Sequence, residues 1–378
     1  MDIKVFSQLL TDICAHSLVA PDRLLKWTII ANPTAGGFTI RSRSKKHLQI
    51  LEAYSQKAKA NPLRSGAGPS DTAKGFEGGL IPTTGPGNAT QIAQSLVDEA
   101  AAALGAKGTG KAAPFYLIIT AGGDGTSLEV LTALYRAPAS VRSSLAILRL
   151  PMGTGNDGAD SRTLDGALDL LIKPVKVEYT PALRLLTAKG GPAFSQSPYL
   201  AFNILSIGLD AFVTHMTNKM KGKLPGDSYK LWVDVASLLY DSLYKVDFID
   251  VKVLNEHKRE LDSFREKLLL LAMGISGNRT YGSNKKILPD ERNVCGIKQM
   301  PLLRKIALKD LLLTGKHAGR PEAMLFNAHR LEFTSRHPIL AQMDGEAVLL
   351  QPADFPAAIE LSEKVIPCLS QIKNHSKH

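Results

Sequence analysis

The chain has 378 residues, 44% of them hydrophobic and 21% charged, a globular composition long enough for two domains that each bury a core. Its formal net charge of +11 asks for an acidic partner: nucleic acid, an anionic membrane face or a phosphorylated small molecule. Aromatics at 6% and scattered basic residues argue against the stacking platform of a single-strand binder, so no nucleic acid is expected. Cys14, Cys295 and Cys368 lie far apart, without zinc spacing and in odd number, which fits a reducing cytoplasm. No apolar run approaches the roughly 20 residues of a membrane span, and the N-terminus lacks the pattern of a secretory signal, so membrane contact is expected to be peripheral.

In chain order, Phe6 to Leu18 has loose helical spacing and ends before Pro21; residues 1–22 are expected as an appendage helix without chemistry. From Lys26 the pattern becomes strand, turn and helix: Trp27 to Ala31, the breaker Asn32-Pro33-Thr34-Ala35-Gly36-Gly37, then a polar helix to about Lys59. Asn61 to Asn88, rich in Gly, Pro, Ser and Thr, reads as a long loop with a short strand near Leu80 to Thr84, followed by a helix from Ala89 to Leu104. Phe115 to Thr120 feeds Ala121-Gly122-Gly123-Asp124-Gly125-Thr126, with a helix expected to start near Ser127. Leu145 to Leu150 feeds Pro151 to Asp157. Continuous apolar runs imply strands covered on both faces. Residues 23–172 therefore read as an α/β domain with a parallel sheet.

From about Val175 the character turns β-rich: Val175 to Thr187, Tyr199 to Ile207, Val246 to Leu254, Lys267 to Ile275, Met324 to Thr334 and Ile339 to Met343. One amphipathic helix, Tyr229 to Leu243, is expected to interrupt them. Residues 173–366 are read as a second, mostly antiparallel domain, and 367–378 as a tail able to return to the first.

Gly122 to Thr126 lies between a buried strand and a helix. Glycines there let the backbone approach a ligand, and free amides at the helix start favour a phosphate, with Asp124 able to hold a metal or its water shell. Alone, the segment is read first as a tight strand-to-helix turn with Asp124 capping the helix. A second glycine-rich loop, with Gly153, Thr154, Gly155, Asn156 and Asp157, weakens that reading, because loops after neighbouring parallel strands converge on one crevice. The loop Asn32 to Gly37 would be a third. Gly105 to Lys111 has Walker A spacing, but Ala112 stands where Ser or Thr is needed and the segment precedes a strand, so it reads as a flexible basic connection. Ile339 to Met343 brings Asp344 and Glu346 to a strand end: either two carboxylates that deprotonate and orient an acceptor hydroxyl, or an Asp-Gly hairpin turn with a solvated Glu. Lys219, Lys221 and Lys223 beside Met216 and Met220 read as a membrane contact or as an ordinary solvated loop.

From Lys26 to Leu369 the chain resembles the bacterial diacylglycerol kinase and related lipid kinases, members of the superfamily that also holds sphingosine kinases and NAD kinases. The resemblance rests on Asn32 to Gly36, Gly122 to Thr126 followed by Glu129, Pro151 to Asp157, and Asp344-Gly345-Glu346; Ser206 to Ala211, Tyr281-Gly282 and Pro289 look like landmarks of the family's second domain. It implies an ATP-dependent kinase acting on a hydroxyl of diacylglycerol or a similar lipid, cytoplasmic and peripherally associated with a membrane, with a homodimer kept as one expected assembly. The implied ATP contacts are Asn32, Pro33, Thr34, Ala35, Gly36, Thr84, Gly122, Gly123, Asp124, Gly125, Thr126, Glu129, Gly153, Thr154, Asn156 and Asp157. Mg2+ falls to Asp124, and catalysis to Asp124, Asp344 and Glu346, with Glu346 as the base. Two departures stand out: the family's metal-binding Asp-Asp-Gly is replaced by Val294-Cys295-Gly296, and Tyr179 to Gly191 has no carboxylate. A kinase for a sphingoid base or NAD, and a nucleotide-binding regulator without catalysis, are the alternatives.

Overall fold

The computed structural model describes residues 1–63, 76–105, 113–153, 156, 158–188, 199–220, 240, 244–281 and 285–372. The chain divides into two compact units, Met1–Thr180 with Lys364–His378, and Pro181–Glu363.

The first unit opens with α1 (Ile3–Ala15), capped by Asp2, whose carboxylate accepts the Lys4 amide at 2.6 Å. Its buried stripe of Phe6, Leu10, Ile13 and Cys14 shares one core with Trp27, Leu51 and Leu171, so the helix is built into the unit. There follow β1 (Leu25–Ala31), the short α2 (Gly36–Thr39), α3 (Arg41–Ala58), β2 (Phe76–Pro82), α4 (Asn88–Gly105), β3 (Phe115–Gly122), α5 (Asp124–Arg136), α6 (Ala139–Arg142), β4 (Leu145–Pro151), α7 (Leu164–Ile172) and β5 (Val175–Thr180). The strand expected at Leu80 to Thr84 ends two residues earlier, leaving Thr83 and Thr84 beyond its tip. All of β3 and β4 is buried, as their unbroken apolar runs require.

The sheet order is β2-β1-β3-β4-β19-β5, where β19 (Ile366–Gln371) is the chain's last described strand. β1 runs parallel to β2 and β3, β4 parallel to β3 and β19, and only β5 is antiparallel. Register sets Ala31 opposite both Pro82 and Ala121, and Gly122 opposite Pro151. Four neighbouring strands thus end level, and their following loops leave from one edge. The β-rich segment Val175 to Thr187 forms two strands. Val175–Thr180 completes this sheet and Leu183–Leu186 belongs to the second unit; Pro181, which has no N–H for a ladder, stands between them.

The second unit comprises β6 (Leu183–Leu186), β7 (Leu200–Ala201), β8 (Ile204–Gly208), α8 (Leu209–Met220), β9 (Phe248–Leu254), β10 (Glu260–Gly274), β11 (Arg279–Tyr281), β12 (Lys285–Leu288), β13 (Val294–Lys298), α9 (Leu302–Thr314), β14 (Ala323–Phe326), β15 (Arg330–Thr334), β16 (Ile339–Met343), β17 (Glu346–Leu350) and β18 (Ala357–Leu361). Its main sheet runs β17-β16-β8-β10-β9-β15-β18-β6-β7, every pair antiparallel among those with printed register, with β13 and β14 branching from β10. β10 is 15 residues long: its charged, exposed first half pairs with β9, and its buried second half lies between β8 and β13. Only that second half carries an apolar signal, which is why the expected strand begins at Lys267. Two helices, α8 and α9, lie in stretches to which the sequence reading gave no element. α9 is apolar on two sides, which erases the one-sided period that marks a helix. Tyr229 to Leu243 lies outside the described residues apart from Tyr240, which is buried. No described helix is long and apolar enough to cross a membrane.

Candidate active site

The loop after β1 is ordered by Asn32. Its amide donates to Ala121 O at 2.9 Å, and its Oδ1 accepts the Thr34 amide at 3.0 Å and hydroxyl at 2.8 Å, an Asx turn that leaves Pro33 and Thr34 exposed. Ala35 is buried and Gly36 begins α2. One residue on, Gly37 N donates to Met152 O at 2.7 Å, and a Cβ there would stand 2.9 Å from that oxygen. The first loop and the loop after β4 are therefore in contact.

Helix α5 starts at Asp124, three residues before the expected Ser127. Gly123 is its N-cap, and among the described residues no side chain caps the first turn. Those amides keep their donor capacity and the positive end of the helix dipole. Asp124 Oδ1 accepts the Gly158 amide at 3.3 Å, and its Oδ2 has no partner among the described residues. The glycines around it are packing glycines: a Cβ on Gly122 would lie 2.5 Å from Thr126 Oγ1, and one on Gly153 would lie 2.5 Å from Gly123 Cα. Thr126 is buried, while Gly125 is open. Asn156 takes a left-handed φ of 60°, tolerated by Asn, and closes its loop by accepting Gly153 N at 2.7 Å and donating to Pro151 O at 3.2 Å. Thr154, Gly155 and Asp157 lie outside the described residues.

Two basic residues at this edge went unnoticed in the sequence. Arg43 on α3 donates from Nη1 to Gly153 O at 3.3 Å. Arg149 in β4 pairs with Asp160 at 2.6 Å, and Asp160 also accepts the Arg149 amide at 2.6 Å, both side chains nearly buried. A signal for Arg149 existed, a lone charge inside a continuous apolar strand; none marked Arg43.

Thr84 is exposed, its amide held by Asn88 Oδ1 at 3.0 Å. Glu129 does not point to open space. Its carboxylate accepts Gly87 N at 2.8 Å, Ala89 N at 3.0 Å and Thr90 N at 3.3 Å, so an acid on α5 fills the N-terminus of α4 and fixes the loop that carries Thr84. Of these two helix starts, α4 is already occupied by an anion and α5 is open.

In the second unit, β16 and β17 form a two-residue hairpin with Met343 opposite Glu346, and both turn residues have positive φ, 47° at Asp344 and 100° at Gly345. The Asp-Gly turn reading is therefore realised. Asp344 is engaged inward: its carboxylate accepts the amides of Phe202, of Asn203 at 3.2 Å and of Ile204 at 3.0 Å. Glu346 is exposed, and its carboxylate has no partner among the described residues. The two acids thus separate in role instead of sharing one face. Beneath the turn, Gln342 donates to Ser206 Oγ and to Asp210, each at 3.0 Å, and its Oε1 accepts Gly345 N at 3.2 Å, a buried polar network that holds the hairpin. Asn218 on α8 donates to Gly345 O at 2.8 Å.

Among the described residues no cluster of three or more His, Cys, Asp or Glu could hold a metal alone. Asp124, with Oδ2 unpartnered beside an open helix start, fits a magnesium that takes most of its ligands from phosphate and water. The family's second acidic position does not fit one. Val294 and Cys295 are fully buried in β13, and burial pushes the Cys295 thiol up to about 12. The nearby Asp290 is held below the usual carboxylate range by hydrogen bonds from Arg292, which pairs with it.

Four level loops on one edge of a parallel sheet, beside a helix start left open among the described residues, define an α/β unit suited to holding a phosphorylated ligand. A model of the diacylglycerol kinase catalytic domain matches residues 26–180. A Yersinia enterocolitica protein named probable lipid kinase YegS-like is 30% identical over 236 residues, 61% of this chain and 71% of its own; a Yersinia pestis protein of the same name is 28% identical over the same shares. A crystal structure of a candidate diacylglycerol kinase from Bacillus anthracis, 18% identical, shares the fold with a TM-score of 0.54 over 91% of this chain and 94% of that one. The chain belongs to the lipid kinase family that carries the diacylglycerol kinase catalytic domain.

Proposed function

We propose that this protein transfers the γ-phosphoryl group of ATP to a hydroxyl of diacylglycerol or a similar lipid at a membrane surface. The observation that carries the reading is the uncapped start of α5 beside the backbone contact of Gly123 with Gly153, a seat for polyphosphate built from two glycine-rich loops. In this reading the α5 amides and the Asn32 and Asn156 loops bind the phosphates, and Thr84 offers its hydroxyl from a loop fixed by Glu129. Magnesium, when bound at Asp124, neutralises charge developing on the phosphates. Glu346 accepts the proton of the lipid hydroxyl as its oxygen bonds to phosphorus and ADP leaves. Asp344 acts through the backbone, positioning the hairpin.

The deciding experiment is phosphoryl transfer from radiolabelled ATP to diacylglycerol, other lipid alcohols, a sphingoid base and NAD, with and without magnesium. Label on diacylglycerol or a related lipid, abolished in a folded Asp124→Asn variant, is the expected result. Label on NAD alone would overturn the lipid assignment, and wild-type turnover in the folded variant would remove Asp124 from the site. A second reading, a nucleotide-binding protein without catalysis, is favoured by the buried Val294 and Cys295 at the family's acidic position, and ATP binding without transfer to any acceptor would select it.

A further inference from the structure

Helix α9 presents two apolar faces. Leu308 and Leu312 are buried in one cluster with Ile287, Leu288 and Met300. On the other side Leu303 is 81% exposed, Ile306 50%, Leu302 48% and Leu313 41%. At helical spacing these four fall within an arc of about 100°. Four large aliphatic side chains on one solvent-facing arc are a surface made to be covered.

Charge selects the cover. Arg304 lies exposed on the helix and Lys316 follows it, while Lys305 on the same helix is buried. The Lys286 side chain lies beside the helix end, where a Cβ on Gly315 would be 3.7 Å from its Cδ. Against these stand Asp310, within the apolar arc, and Glu322, which is paired with Arg304. A second copy of a chain carrying +11 would bring like charge to like charge, whereas an anionic bilayer complements both the cations and the aliphatic arc. We infer that α9 is an interfacial docking helix that seats Leu302, Leu303, Ile306 and Leu313 at the acyl boundary of an anionic bilayer, with Arg304, Lys316 and Lys286 at the headgroups. The inference rests on the lipid-kinase reading only for preferring a bilayer to another anionic surface.

The test is co-sedimentation of the full chain, without ATP, with vesicles of 30% phosphatidylglycerol in phosphatidylcholine and with phosphatidylcholine alone; that lipid mixture is on the order of a physiological anionic fraction. The expected result is binding to the anionic vesicles that weakens with salt, and a loss of about tenfold or more in the Leu303→Ser, Ile306→Ser double variant, since each change removes most of a buried aliphatic contact. Both side chains are exposed, so the variant keeps its melting temperature and ATP affinity. Equal vesicle binding by variant and wild type, or no binding by wild type, would overturn the proposal. So would a wild-type dimer in analytical ultracentrifugation that the double variant dissociates, which would make a second copy the cover. Because binding is read without turnover, a chain that docks but phosphorylates no lipid would sink the functional reading alone, and one that phosphorylates soluble short-chain lipid without docking would sink this one alone.

Discussion

At Gly153 one hydrogen atom in place of a methyl group decides whether two loops can meet. A Cβ there would stand 2.5 Å from the backbone Cα of Gly123, which cannot yield as a flexible side-chain end could, and 3.0 Å from Oδ1 of Asn156, whose side chain is tied to Gly153 N and Pro151 O. Gly153→Ala should therefore cost about 1–3 kcal/mol through overpacking and weaken ATP binding together with thermal stability; an unchanged melting temperature and ATP affinity would refute the close approach. The acids of the hairpin make a sharper pair. Asp344→Asn gives up charge-assisted bonds to three backbone amides and should lower stability by roughly 1–3 kcal/mol. Glu346→Gln touches no described partner and should melt like wild type, bind ATP normally and lose about a hundredfold or more in kcat, the usual share of a general base. If Asp344→Asn instead melts normally with transfer abolished, the base is Asp344. The residues alone left both acids open and the resemblance chose Glu346 as the base; which carboxylate the amides of residues 202–204 reach was not written in the sequence.

Between elements, the pairing of α4 with α5 through Glu129 is the contact that shapes the candidate site. One carboxylate holds three amides at the start of α4, so Glu129→Gln should lose about 1 kcal/mol of stability and raise KM for ATP more than it lowers kcat, since the Thr84 loop loosens while the α5 amides stay. Single-turnover kinetics on the variant would separate the two; an unchanged KM would argue that Thr84 does not meet nucleotide. The strands β1, β3 and β4 were legible because strands buried on both faces read as unbroken apolar runs. The first half of β10 and the helix α9 were not, one because its exposed residues are charged and the other because it is apolar on both sides.

For the whole molecule, each unit carries a histidine whose packing disfavours the charged ring. Burial lowers the pKa of His47, helped by Arg43 and Lys46, and burial lowers that of His317, whose Nε2 meets Ile287 O at 3.1 Å. The unfolded chain takes up these protons near pH 6.5 while the folded chain resists, so the stability they contribute is complete above that pH and is lost as pH falls below it. Urea unfolding between pH 7.5 and 5 should therefore show stability falling as the pH is lowered; a pH-independent midpoint would mean that these rings charge freely when folded. The sequence by itself determined the two-part architecture, the parallel sheet and the glycine-rich loops, because buried runs, turn residues and motif spacing are local properties that survive in one dimension. Only the tertiary structure decided that Pro181 divides one β-rich segment between two sheets, that β19 returns to lie beside β4, that Glu129 seals α4 while α5 stays open, and that Asp344 braces the hairpin while Glu346 stands free. Each of those depends on which backbone amides meet which carboxylates and strands across long stretches of chain, a matter of three-dimensional register that no spacing along the sequence encodes.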